Sequence, residues 1–313
     1  MQEEIIAPVP TELIEAELTP DRFLRFSNKG NNHIYVTDAH ESPNVMKEIG
    51  RLREQAFRAA GGGTGKSCDI DEFDTMPVPC KQLIVWDPDS RIILGGYRFI
   101  FGPDMTMNAD GMPNIATSHM FRFSPRFIKE YLPNTLELGR SFVRIEYQSS
   151  RVGAKAIFAL DNLWDGLGAL TVRNPGIKYL FGKMTMYPTY SRESRNMILY
   201  FLKKHFPDPD RLVYPITPLD THADEKAMAA LFTGETFKDD YRILNNAVRA
   251  HGVNIPPLVN AYMSLSPTMH VLGTAINDTF GDVEETGIFL AIDEIFEEKK
   301  RRHIETYTLG EHL

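Results

Sequence analysis

The chain has 313 residues, 42% of them hydrophobic, with 34 Lys+Arg against 42 Asp+Glu and a formal charge of −8. A chain of this length and make-up buries a sizeable core, which excludes disordered and fibrous classes, and its acidic balance argues against a general nucleic-acid coat. Two cysteines, Cys68 and Cys80, supply no disulfide framework and suit a reducing cytosol. No apolar run approaches the roughly 18 residues of a membrane span. The start, Met1-Gln2-Glu3-Glu4, is acidic where a signal peptide carries cations. A cytoplasmic globular protein is expected.

Residues 1–40 read as an irregular N-terminal arm with prolines at 8, 10 and 20, interrupted by one strand signal, His33–Thr37. From Pro43 the apolar positions Val45, Met46, Ile49, Leu52, Ala56 and Phe57 recur at helical spacing until Gly61-Gly62-Gly63 ends the helix. Gln82–Trp86 and Ile92–Phe101 form a predicted hairpin around the turn Asp87-Pro88-Asp89-Ser90. Thr135–Ile145 is a further strand, Ala154–Leu170 a helix, Ile177–Met186 a strand and Ser191–His205 a helix. Residues 220–264 are helical in pattern, and Met269–Thr274 and Glu285–Asp293 are late strands ahead of a charged tail, 297–303. Mixed order of this kind predicts an α/β layer fold, a mixed β-sheet flanked by helices. The expected division is an N-terminal arm (1–40), a core (41–219), a helical insertion near the C-terminus (220–264), and the last core strands with the tail (265–313).

Ala60-Gly-Gly-Gly-Thr-Gly-Lys66-Ser67 satisfies the letters of a phosphate-binding loop. Such a loop must leave a buried strand and enter a helix whose first amides hold phosphate. Here a helix precedes it and the acidic stretch Asp69–Asp74 follows, so a nucleotide site is rejected. A glycine-rich turn, or a mobile loop closing over a substrate, remains.

Five segments in order carry a resemblance: Leu52-Arg53-x-x-x-Phe57, Asp71-x-Phe73-Asp74, Leu83-Ile84-Val85, Gly96-Tyr97-Arg98-Phe99 and Leu136-Glu137-Leu138-Gly139-Arg140-Ser141. Leu163-Trp164-x-Gly166-Leu167, Tyr179-Leu180-Phe181-Gly182, Pro256-Pro257-Leu258-x-x-x-Tyr262 and Asp278-x-x-Phe280 extend it over about residues 45–295. The pattern resembles the hemolysin-like acyltransferases, a branch of the GNAT superfamily that includes the ornithine-lipid N-acyltransferases and is related to acyl-homoserine lactone synthases. The resemblance implies a GNAT-like fold and transfer of a fatty acyl chain from a thioester of acyl carrier protein or coenzyme A to an amino acid's α-amine, making an aminolipid precursor. The chain departs from the pattern at Phe142, where the family has Cys, and at glycines 61–65. It lacks the usual pyrophosphate signature: Arg151-Val-Gly153-Ala-Lys-Ala has its ingredients out of register, which favours a carrier-protein donor.

The resemblance places Glu137 as the general base, with Arg140, Asp71 and Asp74 in the catalytic group. Arg53, Phe57, Arg98, Ser141, Trp164 and Tyr187 are expected at the substrate. An ion pair of Glu137 with Arg140 or Arg98 is the structural alternative for that carboxylate, and a solvated acidic turn is the alternative for Asp71 and Asp74. Arg140 is a candidate for the acceptor's carboxylate, since a guanidinium offers bidentate geometry. Tyr187 and Tyr190 stand where these enzymes often carry a general acid, or else pack at the rim. Met and Phe side chains line an acyl tunnel or an ordinary core. The nine histidines show no metal-ligand spacing, so no metal is expected. Expected partners are acyl carrier protein, an amino-acid acceptor and a membrane surface in peripheral contact, with no nucleic acid. The basic stretches Arg122-x-x-x-Arg126-x-x-Lys129 and Lys299–Arg302 are the candidate docking faces, the first read as free of matching acids. A homoserine-lactone-type signal synthase and a non-catalytic acyl-binding protein of the same fold are the alternative functions.

Overall fold

A computed structural model of the chain describes residues 2–148 and 154–310. The elements in order are α1 (Thr11–Glu17), β1 (Phe23–Phe26), β2 (His33–Thr37), α2 (Pro43–Ala60), α3 (Glu72–Thr75), β3 (Lys81–Asp87), β4 (Ile92–Phe101), β5 (Phe121–Phe123) and β6 (Thr135–Val143). They continue with α4 (Ala154–Arg173), β7 (Tyr179–Met186), α5 (Arg192–His205), β8 (Val213–Pro215), α6 (Glu225–Leu231), α7 (Phe237–Ala250), α8 (Pro257–Met263), β9 (His270–Asn277), β10 (Val283–Ala291) and α9 (Glu297–His303). Arg151–Gly153, part of the displaced pyrophosphate stretch, lies outside the described residues.

Among the described residues the strands form an eight-stranded sheet, ordered β1-β2-β3-β4-β6-β7-β10-β9, and a small pair, β5-β8. Every pairing in the large sheet is antiparallel except β6 with β7, which are joined through the crossover helix α4. This is the mixed sheet flanked by helices that the sequence predicts. Residues 1–40 are less irregular than expected, however. The seven-residue α1 is too short to stand alone, and it is held from outside: the Glu17 carboxylate accepts from the backbone amides of Asn44 (3.1 Å) and Val45 (2.8 Å) at the start of α2. β1 pairs with β2, and its buried Arg25 donates to Asn28 (2.7 Å).

Strand alternation separates the two faces of the sheet. Leu83, Leu136, Leu138, Leu180 and Ile288 pack under α4, α5, α7 and α8. The opposite face carries two separate apolar clusters. One lies beneath α1 and α2, with Ile84, Trp86 and Phe142; the other lies beneath residues 105–132, with Ile100, Phe181 and Phe289. Between these clusters the same face presents Arg98, Glu137, Lys183 and Glu285, and that polar gap is where the site forms.

Candidate active site

The ladder between β6 and β7 is short. It pairs Thr135–Glu137 with Tyr179–Phe181, while β7 runs on along β10 from Tyr179 to Met186. Beyond Glu137 the two strands part. On its other edge β6 carries a bulge: Gly96 faces Phe142 but Arg98 faces Gly139, so β6 holds one extra residue there. Arg140 sits in that bulge at φ 48°, a left-handed conformation that costs an ordinary residue roughly 1–2 kcal/mol. The bulge turns the Arg140 side chain toward the gap.

A cavity of about 1130 Å³ lies at the parting and is lined by residues from both faces of the sheet. One arm is largely apolar, lined by Leu160, Met186, Pro257, Leu258 and Tyr262. The other is charged, lined by Asp71, Arg98, Glu137, Arg140, Lys183 and Glu285. Glu137, at the last rung of the β6–β7 ladder, stands where the two arms meet.

The charged arm is braced from behind. Arg53 and Asp74 are fully buried and do not reach the cavity wall. Arg53 donates to Asp74 (3.3 Å) and to Gln82 (2.5 Å), and Gln82 donates back to Asp74 (2.9 Å). Arg98 then links this buried group to the cavity, 3.3 Å from Asp74 and 2.6 Å from Asp71. Asp71 caps α3 by accepting from the amides of Phe73 (3.0 Å) and Asp74 (3.3 Å), so the acidic segment is a built turn rather than a solvated one. Burial opposes the charge on Asp74, but Arg53 and Arg98 outweigh it and hold its carboxyl well below the usual carboxylate range.

Arg140 lies 3.0 Å from buried Asp69 and 3.5 Å from Asp71, and its guanidinium covers the Phe280 ring at 4.1 Å. Phe57 meets that ring edge-on at 5.0 Å. Burial pushes the Asp69 carboxyl up, against the pull of Arg140. Tyr187 lines the cavity, and burial pushes its phenol up to about 12, so it is protonated at neutral pH. Tyr190, also raised to about 12 by burial, donates to the Asn254 carbonyl at 2.9 Å. Ser141 lines the cavity beside Tyr97, whose hydroxyl is 3.3 Å from that of Tyr262. Trp164 does not line the cavity; it backs the apolar arm, edge-on to Tyr262 at 5.7 Å.

Glu137 pairs with neither Arg140 nor Arg98. Its Oε1 accepts from Thr117 Oγ1 (2.9 Å) and lies 3.9 Å from Lys183 Nζ. Lys183 donates to Thr117 (2.5 Å) and lies 3.6 Å from Glu285. Sequence reasoning missed Lys183, Glu285, Thr117, Gln82 and Asp69. The available signal was a lone charge inside an otherwise apolar strand, as with Lys183 within β7.

The amides of the glycine loop are already engaged. Those at Thr64 (3.0 Å) and Gly65 (2.8 Å) donate to the buried Glu54 carboxylate, which also accepts from the Thr64 hydroxyl (2.7 Å). A resident carboxylate therefore occupies the place an anion needs and ties the loop to α2. The stretch 122–129 is not free of acids: Arg122 is 3.3 Å from Asp110, and Arg126 is 3.0 Å from both Glu130 and Asp210. Two of these acids lie outside the local sequence, where a window reading has no access to them. No helix among the described residues is long and apolar enough to cross a membrane.

Residues 52–157 match the acetyltransferase (GNAT) domain model. The chain is 63% identical over 305 residues to a glycine N(alpha)-acyltransferase of Phocaeicola vulgatus, covering 97% of this chain and 94% of the relative. It is 64% identical to a protein of the same description from Bacteroides thetaiotaomicron, over 97% of this chain and 90% of the relative. Among solved structures, FeeM, an N-acyl amino acid synthase from uncultured soil microbes, aligns with a TM-score of 0.40 at 12% identity, over 84% of this chain and 93% of that one.

Proposed function

Since the chain belongs to the glycine N(alpha)-acyltransferase family of GNAT acyltransferases, we propose that it moves a fatty acyl chain from a thioester to the α-amine of glycine. The observation that carries this reading is the two-armed cavity meeting at Glu137. An acyl chain suits the apolar arm, a small zwitterion suits the charged arm, and the parted strands bring carbonyl and amine together.

In this reading Glu137 takes one proton from the glycine ammonium. The neutral nitrogen attacks the thioester carbonyl, the C–N bond forms, and collapse of the tetrahedral species breaks the C–S bond. The second nitrogen proton balances the departing thiolate, with the protonated Tyr187 phenol as relay. Arg140 receives the glycine carboxylate, held over Phe280 with Phe57 behind it. Asp71 and Arg98 hold the wall, Ser141 shapes the junction, and the buried Arg53–Asp74 pair keeps Arg98 in place. Trp164 supports the acyl arm through Tyr262. Acyl carrier protein is the proposed donor and acyl-coenzyme A the alternative. The enzyme would work in the cytoplasm and release an amphiphilic product toward the membrane surface.

Purified protein given a long-chain acyl thioester and glycine is expected to yield N-acylglycine and free thiol in equal amounts, read by mass spectrometry and thiol titration. Thiol release without N-acyl product, for glycine and other amino acids alike, overturns the reading.

A further inference from the structure

Glu285 is 4% exposed, yet it belongs to the cavity wall. Its Oε1 accepts from Asn277 Nδ2 at 3.1 Å. Its Oε2 accepts no hydrogen bond from any described residue; the Lys183 ammonium, which donates to Thr117, stands 3.6 Å away as an ion-pair partner only. Leaving a buried carboxylate oxygen unfilled is costly, so such an atom on a cavity wall marks the place of a donor that the protein does not itself supply.

The surrounding charge specifies the kind of donor. Lys183 stands between two carboxylates, Glu137 and Glu285, so this group carries two negative charges against one positive. The Glu137 Oε1 is already filled by Thr117, which in turn accepts from Lys183. The remaining excess of negative charge is best met by a cation at Glu285 Oε2. A carboxylate ligand is disfavoured there, because the only cation of the group is already shared between two acids.

We propose that Glu285 is the binding group for the acceptor's α-ammonium, receiving it before proton transfer and holding it beside Glu137. This rests on the reading of the acceptor as an amino acid, and it adds a recognition role distinct from that of the base. Glu285, Lys183 and Asn277 come from β10, β7 and β9, three adjacent strands, so the anchor is carried by the sheet and not by a loop.

Losing a charged hydrogen bond of this kind is expected to raise the KM for glycine at least tenfold in Glu285→Gln, with kcat within about threefold and donor KM unchanged. Glu285→Asp, which keeps the charge one methylene back, is expected to fall between wild type and Gln, and serves if Gln does not fold. An unchanged glycine KM, or a loss confined to kcat, overturns the proposal. If wild type makes no N-acylglycine, the proposed function fails, and calorimetric titration with glycine then decides the anchor. A Kd weakened by Glu285→Gln sustains it, and a Kd indifferent to the substitution overturns it.

Discussion

At the scale of single residues, the charged arm contains groups with two different duties. Asp74 and Arg53 are sealed from the cavity, so their substitution acts first on stability. Glu137 faces the cavity, so its substitution acts first on rate. Asp74→Asn leaves Arg53 and Arg98 short of a counter-charge and is expected to cost about 3–5 kcal/mol at pH 7, measured by urea unfolding. The folded-state pKa of Asp74 lies below its ordinary value of 3.8, so its contribution is fully present above that value and is lost as pH falls below it. The gap between wild type and Asp74→Asn should therefore narrow on acidification below about pH 4; a constant gap would refute this assignment. Glu137→Gln is expected to lower kcat by about 10²–10⁴-fold while thioester binding persists. Near wild-type turnover in a folded variant would move the base elsewhere, with Asp71 the next cavity-facing acid.

At the scale of elements, the β6 bulge separates backbone cost from side-chain use. Arg140 is strained by its positive φ, and glycine adopts that conformation freely. Arg140→Ala and Arg140→Gly remove the same guanidinium, so both should lose activity to the same extent. Their stabilities should differ, with the Gly variant about 1 kcal/mol above the Ala variant in chemical unfolding. Equal stability would mean that the bulge relaxes once the side chain is gone. The loop after α2 makes the converse point. Its glycines match a phosphate loop by letter, but the Glu54 carboxylate is the anion those amides hold.

At the scale of the whole molecule, an acidic enzyme must meet a donor. Acyl carrier proteins are acidic, and a chain of charge −8 repels them unless a local basic face overcomes the repulsion. Arg122 and Arg126 have acidic neighbours, but these pairs lie in the open, with Arg126 49% and Asp210 47% exposed. Exposed pairs exchange partners cheaply, so they remain available for docking. The KM for acyl carrier protein is expected to rise strongly with ionic strength, and charge reversal at Arg122 and Arg126 should raise it with little change in kcat. Equal efficiency with acyl-coenzyme A and no salt dependence would remove the carrier protein and leave acyl transfer intact.

Periodicity alone determined most elements of this protein, because β2, α2, the β3–β4 hairpin, α4, β7 and α5 carry their own hydrophobic pattern and turn chemistry. Ordered motifs also brought Arg53, Asp71, Arg98, Glu137 and Arg140 into one group. Tertiary structure alone decided which of them reach the cavity, because burial depends on layers stacked from distant segments. It also decided the partner of Glu137: Thr117 comes from the segment over the sheet and Lys183 from the strand across the parting, and neither contact has a local signature. α1 and β1 went unread for the same reason, since each is too short to hold its shape without the elements it packs against.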